Sequence, residues 1–237
     1  MILFLQPDLM PLVKTFVILF LMLFVAGVAV TTAAWFGLRF FARYLNTRRD
    51  TWEATARLLG LEINREYRRP IKPLEGVYQD LRVKIFHESV PKNRGRSFDL
   101  YTVCEVHLRP EAFGFPFEVR CEDSIIQGIA RFIGKGDVEI GLPGFDKSFY
   151  VDCPDAEAVR CLLSADQPDG QTVNLAADLM LFRKSYWDVR IADDLVCLKL
   201  DGEFFEVAKI RPMLDDAVYL AERMRAARKK LSSLSTV

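Results

Sequence analysis

The chain has few of the residues and motifs that many enzymes use for catalysis. It contains two histidines among 237 residues, and neither a Gly-x-Ser-x-Gly nor a His-Glu-x-x-His sequence occurs. The common serine-hydrolase and zinc-protease signatures are therefore excluded. In the alternating pattern of two neighbouring strands, His87 falls on the apolar face and His107 on the polar face. We expect their imidazoles to point to opposite sides of a sheet and to share neither a metal ion nor a nucleophile.

Phosphate-binding motifs are also missing. The stretch from Gly128 to Lys135 has five residues between its glycines, where a P-loop has four, and Gly136 takes the place of the Ser or Thr. The pair Gly134-x-Gly136 lacks the third glycine of a dinucleotide-binding turn. We interpret both as turns and predict no catalytic residue and no cofactor.

Cysteine usage argues against a disulfide framework and against structural zinc. The count of five is odd and no Cys-x-x-Cys pair occurs, whereas both kinds of site usually need closely spaced pairs. We predict no metal site and expect buried free thiols in a reducing compartment. The cysteines are Cys104, Cys121, Cys153, Cys161 and Cys197.

Charge is balanced overall but unevenly distributed. The formal net charge of zero argues against a nucleic-acid partner. From Arg39 to Lys72 there are nine Lys or Arg against four Asp or Glu, and from Pro73 to Val237 the net charge is minus five. Two acidic pairs, Asp193-Asp194 and Asp215-Asp216, could in principle hold a cation. We predict instead that they serve a turn and a helix start.

One long apolar run predicts a transmembrane helix over about residues 12–41. Thr15 to Leu38 are 24 consecutive residues without a charge, which as a helix span about 36 Å and exceed a hydrocarbon core of about 30 Å. A cleaved signal peptide would have a shorter apolar run behind a basic start. The pattern disfavours a buried core helix of a soluble protein, because both faces of this run are apolar.

The flanks of this run predict its orientation and its contacts with the bilayer surface. Arginines follow the run closely, whereas Lys14 alone precedes it beside Asp8. The positive-inside rule then places the N-terminus outside and the C-terminal domain in the cytoplasm, in a cell (inner) membrane. The predicted membrane-surface residues are Trp35, Arg39, Arg43, Tyr44, Arg48 and Arg49.

Small residues recur on one face of the predicted membrane helix. Ala29, Ala33 and Gly37 are spaced four residues apart, a spacing that lets two membrane helices approach closely. Ala and Gly are also common in such helices for no special reason. Self-association through this face is a hypothesis that the sequence leaves open.

The rest of the chain predicts an α+β domain, with an antiparallel sheet, flanking helices and a long C-terminal helix. We divide the chain into residues 1–49 with the membrane helix, 50–73 with a short helix and a basic connector, and 74–237 with the cytoplasmic domain. Asp50 and Glu53 form a capping-box pattern for the short helix. Trp52, Ala56 and Leu59 would lie on its buried face.

Alternation and turn residues predict the elements of this domain. The first elements form an antiparallel meander. They are a strand through Leu81–Ile85, a hairpin loop at Val90–Ser97, a return strand through Cys104–Leu108 and a further strand to Cys121. The later predicted elements are a helix at Ser124–Phe132, a strand at Ser148–Cys153, a helix capped by Asp155, a helix at Thr172–Lys184, a hairpin of Trp187–Ile191 with Leu195–Leu200, and a helix at Pro212–Leu231 beginning with its proline.

One stretch resembles a known family. This stretch is Gly141-Leu-Pro-Gly-Phe-Asp-Lys-Ser-Phe-Tyr-Val, followed by Asp155 and the Leu162-Leu163 helix. It is similar to a domain of unknown function in membrane-anchored bacterial proteins. The resemblance covers roughly residues 137–220, and Gly144 stands where the family prefers an acidic residue. It implies architecture and membrane attachment but no activity. Phe145, Phe149 and Val151 are interpreted as core residues.

The functional hypothesis is a membrane-tethered binding or scaffolding protein whose partners are the lipid bilayer and an unidentified protein. One alternative is an enzyme or small-ligand receptor with a site in a cleft of the sheet, lined by polar groups with shifted pKa values. Another is an accessory subunit of a membrane complex, assembled through the small-residue face of the helix.

Overall fold

The structure, a computed structural model, describes residues 10–67, 71–92, 97–108, 116–121, 138–163 and 174–234. The chain divides into two compact units, Met1–Asp50 and Thr51–Val237. The predicted Ser124–Phe132 helix and the loop at 166–170 lie outside the described residues.

Helix α1, Met10–Leu59, provides the long apolar segment. Within the described residues it is the one helix that is long and apolar enough to cross a membrane. Its most apolar stretch has a mean hydropathy of 2.6, and none of that stretch is buried. The helix continues past the C-terminal end of the predicted span, residues 12–41, and ends at Leu59.

The prediction of a separate short helix capped by Asp50 is wrong. Helix α1 continues through Asp50 without interruption as far as Leu59. No glycine or proline occurs between Gly37 and Gly60, so nothing in the local sequence ends the helix. The predicted apolar face of Trp52, Ala56 and Leu59 is nevertheless confirmed, since all three side chains are buried.

The unit from Thr51 contains an eight-stranded antiparallel sheet, which confirms the α+β prediction. The strand order across the sheet is β1-β2-β3-β4-β8-β7-β5-β6. The strands are β1 Glu62–Ile63, β2 Leu74–Tyr78, β3 Leu81–Lys92, β4 Ser97–His107, β5 Glu118–Cys121, β6 Phe149–Asp152, β7 Asp188–Ala192 and β8 Leu195–Asp201.

The predicted meander holds for β3 and β4 but fails at β5. The C-terminal hairpin of β7 and β8 inserts between β4 and β5, so β5 pairs with β6 and β7 instead. Alternation determines which face of a strand is buried, but it does not determine which strand lies alongside. Strand β2 was not predicted from the sequence.

Four further helices follow α1 in the described part of the chain. They are α2 Pro143–Asp146, α3 Ala156–Leu163, α4 Leu175–Phe182 and α5 Val207–Leu234. Helix α5 packs against β4 and β8, and helices α3 and α4 pack against α5. The core lies between this helical layer and one face of the sheet. The predicted core residues Phe145, Phe149 and Val151 are at most 2% exposed.

The local predictions near the helix starts have mixed outcomes. The Asp155 carboxylate accepts a hydrogen bond of 2.9 Å from the Ala158 amide, as predicted for the cap of α3. Helix α5, by contrast, begins at Val207 and contains Pro212 inside it, so the prediction of proline in the first turn is wrong. Ile210 and Met213 flank this proline and are 1% exposed. We infer that their burial outweighs the one backbone hydrogen bond that proline cannot make.

Candidate membrane-binding site

Helix α1 satisfies its own polar side chains within the apolar stretch. The Thr31 hydroxyl donates to the Gly27 carbonyl oxygen at 3.0 Å, and the Thr32 hydroxyl donates to the carbonyls of Val28 and Ala29. A hydroxyl bonded in this way leaves no donor unpaired in hydrocarbon. This stretch therefore has the exposed apolar surface and the internal hydrogen bonding that a lipid environment requires.

Arginine and aromatic side chains pair at the C-terminal end of the apolar stretch. The guanidinium carbon of Arg39 lies 4.9 Å from the centroid of the Trp35 ring. That of Arg48 lies 4.3 Å from the Tyr44 ring centroid. Both pairs have the four-residue spacing that brings side chains together on a helix. Such pairs combine an apolar ring with a cation, the combination that the headgroup zone of a bilayer accommodates.

The remaining predicted contact residues lie on the same continuous helix. Arg43 and Arg49 are exposed, and each basic residue at a bilayer surface gains about 1 kcal/mol from anionic lipid. Ala29, Ala33 and Gly37 share one helix face, because α1 runs through all three. A Cβ atom at Gly37 would meet nothing within 4 Å. Lipid contact and self-association remain predictions.

The two histidines point to opposite sides of the sheet, as predicted. Strands β3 and β4 pair without a bulge from Arg82 to Lys92. His87 contacts Phe204 on the helical side, with 2.8 Å between its Nε2 atom and the Phe204 carbonyl oxygen. On the other side, His107 Nε2 lies 3.8 Å from a carboxylate oxygen of Glu105. They therefore do not form one site.

All five cysteines are free thiols. Three of them, Cys104, Cys121 and Cys197, lie in strands of the sheet. Burial raises the pKa of Cys104 well above its usual value. Burial is also the main cause that raises the pKa of both Cys121 and Cys197 to about 12. A thiol reacts as its thiolate, so these raised pKa values make nucleophilic roles for the three thiols unfavourable at neutral pH.

The acidic pairs are used within the fold. The Tyr78 hydroxyl donates to the Asp215 carboxylate at 2.7 Å, and the Tyr186 hydroxyl donates to the Asp216 carboxylate at 2.5 Å. Neighbouring carboxylates on α5 therefore face different tyrosines. Asp193 and Asp194 form the turn between β7 and β8, as predicted. Within the described ranges, no group of three His, Cys, Asp or Glu side chains is arranged to hold a metal ion.

Ion pairs between strands occupy the sheet face opposite the helices, and they were not predicted from the sequence; one joins neighbouring strands, and the other joins β8 to β3 across β4. Lys199 pairs with Glu88 at 2.8 Å, and Arg190 pairs with Glu118 at 2.8 Å. Burial lowers the pKa of Lys199, but the hydrogen bond and charge of Glu88, with smaller contributions from other groups, raise it to a net value above normal. The sequence shows charged residues alternating along each strand. This pattern does not identify which charged residues pair until the strand order is known.

Comparisons with protein-family models, curated proteins and solved structures found no match to this chain.

Proposed function

We propose that this chain is a single-pass protein of the bacterial inner membrane, with its N-terminus outside and a cytoplasmic α+β domain that binds or scaffolds another protein. The observation that carries the proposal is the exposed apolar part of α1, which precedes the arginine pairs with Trp35 and Tyr44. An apolar helix of this length is costly to expose to water, and a bilayer removes that cost.

The proposed orientation rests on charge. Arg39, Arg43, Arg48 and Arg49 all follow the apolar run within about a dozen residues, and basic residues next to a membrane helix favour the cytoplasmic side. The free thiols support the same side, since disulfides are rare in the reducing cytosol. The resemblance around Phe145 and Phe149 supports membrane attachment.

The proposed binding role rests on how the polar groups of the domain are engaged. His87 contacts the Phe204 carbonyl, Asp216 accepts from Tyr186, and Lys199 pairs with Glu88. Each of these groups therefore contributes to the fold, and anchoring concentrates such a domain at a membrane surface. We infer that its surface recruits a partner to the membrane.

One experiment in cells tests both placement and role. Reporters that are active only inside or only outside the membrane are fused to the C-terminus of the full chain. The intact protein is then crosslinked in cells and the captured proteins are identified. We expect the inside reporter to be active and one protein to be captured reproducibly.

A matched variant makes the capture informative. A chain with Leu181→Ser removes an exposed apolar side chain from α4, which is 61% exposed, without changing the core. Comparing its captured proteins with those of the native chain shows whether this surface takes part. An active outside reporter would contradict the orientation. Turnover of a small molecule by the purified chain, with no protein captured, would favour the enzyme or receptor alternative.

A further inference from the structure

Arg120 lies in strand β5, on the face of the sheet opposite the helices. Its neighbours Val119 and Cys121 are at most 5% exposed and belong to the core, so the alternation of the strand directs Arg120 to the other side. Strand β5 runs between β7 and β6. Arg120 is in register with Arg190 on β7 and with Tyr150 on β6. Two arginines therefore lie directly opposite each other on neighbouring strands.

The two arginines differ in how their charges are compensated. The Arg190 Nε atom lies 2.8 Å from a carboxylate oxygen of Glu118. Among the described residues, no carboxylate forms an ion pair with Arg120. Like charges directly opposite each other in a sheet are unfavourable, and Glu118 neutralises only one of these two. The pair therefore retains one uncompensated positive charge, at Arg120.

An aromatic ring holds the Arg120 side chain in place. Its guanidinium carbon lies 4.9 Å from the centroid of the Tyr150 ring, and Tyr150 is only 3% exposed. A guanidinium packed over a fixed ring has few alternative positions, so less conformational freedom is lost when it binds a ligand. The packing therefore preorganises the Arg120 charge.

The Nε atom of Arg120 lacks a hydrogen-bond acceptor. It is shielded from solvent and has no partner among the described residues. An arginine that is simply solvated would satisfy its donors with water, and a shielded donor without an acceptor is unfavourable, most of all on a charged group. The partner that this group is missing is therefore an acceptor, preferably an anionic one.

We propose that Arg120 binds an oxyanion, a phosphate or a carboxylate group, on this face of the sheet, with Arg190 adding its charge from the opposite strand. Both kinds of group offer two oxygens that fit the parallel N–H donors of a guanidinium. Because Nε is shielded, binding turns the Arg120 side chain slightly off the Tyr150 ring. The Arg190 side chain is 45% exposed and is accessible to the same anion. This site does not depend on the proposed membrane anchoring.

Acidic residues on the same face limit the affinity. The registers of β6 and β7 place Asp152 and Asp188 on this side of the sheet, and Glu118 already pairs with Arg190. Their negative charges oppose the binding of an anion. We therefore expect dissociation constants in the millimolar range.

Nuclear magnetic resonance of the full chain tests the site directly. The isotopically labelled protein, in detergent micelles, is titrated separately with phosphate, acetate and chloride at constant ionic strength. The Nε–H resonance of Arg120 and the backbone amide resonances of β5 are followed. We expect shifts that saturate with phosphate or acetate and are absent with chloride.

Matched variants identify the residues that bind, with the β5 amides as the readout. Arg120→Gln should abolish the response, and Arg120→Lys, which keeps the charge but loses the paired donors, should weaken binding several-fold. Glu118→Gln should strengthen binding several-fold, because it releases Arg190 and removes a negative charge. Arg82→Gln is the control. Arg82 is exposed on the same face, in β3 between the buried Leu81 and Val83, and its loss should leave binding unchanged.

The titrations separate a specific site from a general effect of charge. Saturation that Arg120→Gln abolishes and Arg82→Gln preserves supports the site, and the anion that binds more tightly identifies the group it takes. Shifts that increase without saturation, or that chloride reproduces, overturn it. Equal losses in Arg120→Gln and Arg82→Gln also overturn it, because they would reflect only the overall charge of this face. Since neither a bilayer nor a partner protein is present, failure here leaves the proposed function standing.

Discussion

His87 and Trp52 lie with their ring centroids 4.8 Å apart, and the ring of Phe205 lies 4.7 Å from His87. The three residues come from β3, from the C-terminal part of α1 and from the segment before α5. The Trp52 indole also donates a hydrogen bond of 2.7 Å to the Lys72 carbonyl. This cluster joins four parts of the chain where it enters the sheet domain.

Replacing Trp52 should therefore destabilise the domain strongly. Trp52 is 2% exposed, and Trp52→Ala should lower the free energy of unfolding by about 3–5 kcal/mol. Trp52→Phe keeps an aromatic ring but loses the hydrogen bond to Lys72, and should cost less. Urea unfolding of the full chain in detergent micelles, followed by circular dichroism, measures both.

The control for this comparison is Trp187→Phe, since Trp187 is 49% exposed. Its effect on unfolding should stay within about 0.5 kcal/mol. Equal losses for Trp52→Ala and Trp187→Phe would show that the cluster around His87 does not hold the domain together.

Local patterns predicted much of the secondary structure but not the order of the strands. The alternation of Val83, Ile85 and Val106 predicted their burial, because the two-residue period of a strand is a local property. Nothing local distinguishes the neighbours of β4, since β5 and β8 show the same alternation. The arrangement is decided by packing between segments far apart in sequence.

The candidate membrane-binding site was likewise predictable where it depends on local spacing and not where it depends on long-range contacts. The pairing of Arg39 with Trp35 follows from their four-residue spacing on a helix. The pairing of Lys199 with Glu88 was not predictable, because these residues lie in β8 and β3 and meet across β4, a long-range relationship.

Thiol chemistry should distinguish Cys161 from the other cysteines. Cys161 is exposed, whereas burial and nearby acidic groups raise the pKa of Cys197 to about 12. We expect a thiol reagent at neutral pH to modify Cys161 rapidly and the other four only after unfolding. Mass spectrometry of digested protein measures the modification at each site.

Cys161→Ser serves as the control for this experiment, and should abolish the rapid phase. Cys197 is the most stringent case, because it is partly exposed. Rapid modification of Cys197 in the folded chain would contradict the assignment of its thiol as unreactive.

The hydrogen bond from Tyr186 to Asp216 should make stability decline in alkaline solution. Burial, the hydrogen bond to Asp216 and the Asp216 charge all raise the pKa of Tyr186 above its usual value. The neutral phenol is therefore favoured in the folded state. This contribution is complete below the unfolded-state pKa of about 10 and decreases as pH rises above it.

Tyr186→Phe tests this pH dependence. The variant should be less stable than the native chain at neutral pH, by about 1.5–3 kcal/mol for a hydrogen bond to a charged group. The difference should shrink as the pH rises above about 10. Tyr78→Phe, which removes a more exposed hydrogen bond to Asp215, should have a smaller effect. A constant difference for Tyr186→Phe across this pH range would rule out the linkage.

Reversing the charge behind the apolar run should disturb the orientation of the chain. We expect Arg39→Glu, Arg43→Glu, Arg48→Glu and Arg49→Glu together to place part of the population with the C-terminus outside. Reporter activity at the C-terminus measures the two populations. Replacing the same four arginines by lysine keeps the charge and should leave the orientation unchanged, whereas an inverted lysine variant would contradict the charge argument.

The small-residue face of α1 should matter for association within the membrane. If two copies pack through Ala29, Ala33 and Gly37, then Ala33→Leu separates the helices and should reduce crosslinked dimer several-fold. Ala34→Leu makes the same increase in size about 100° around the helix and should leave the dimer intact. Crosslinking of the full chain in native membranes measures both variants. Equal amounts of crosslinked dimer in both variants would show that these small residues do not mediate association and reflect ordinary membrane-helix composition.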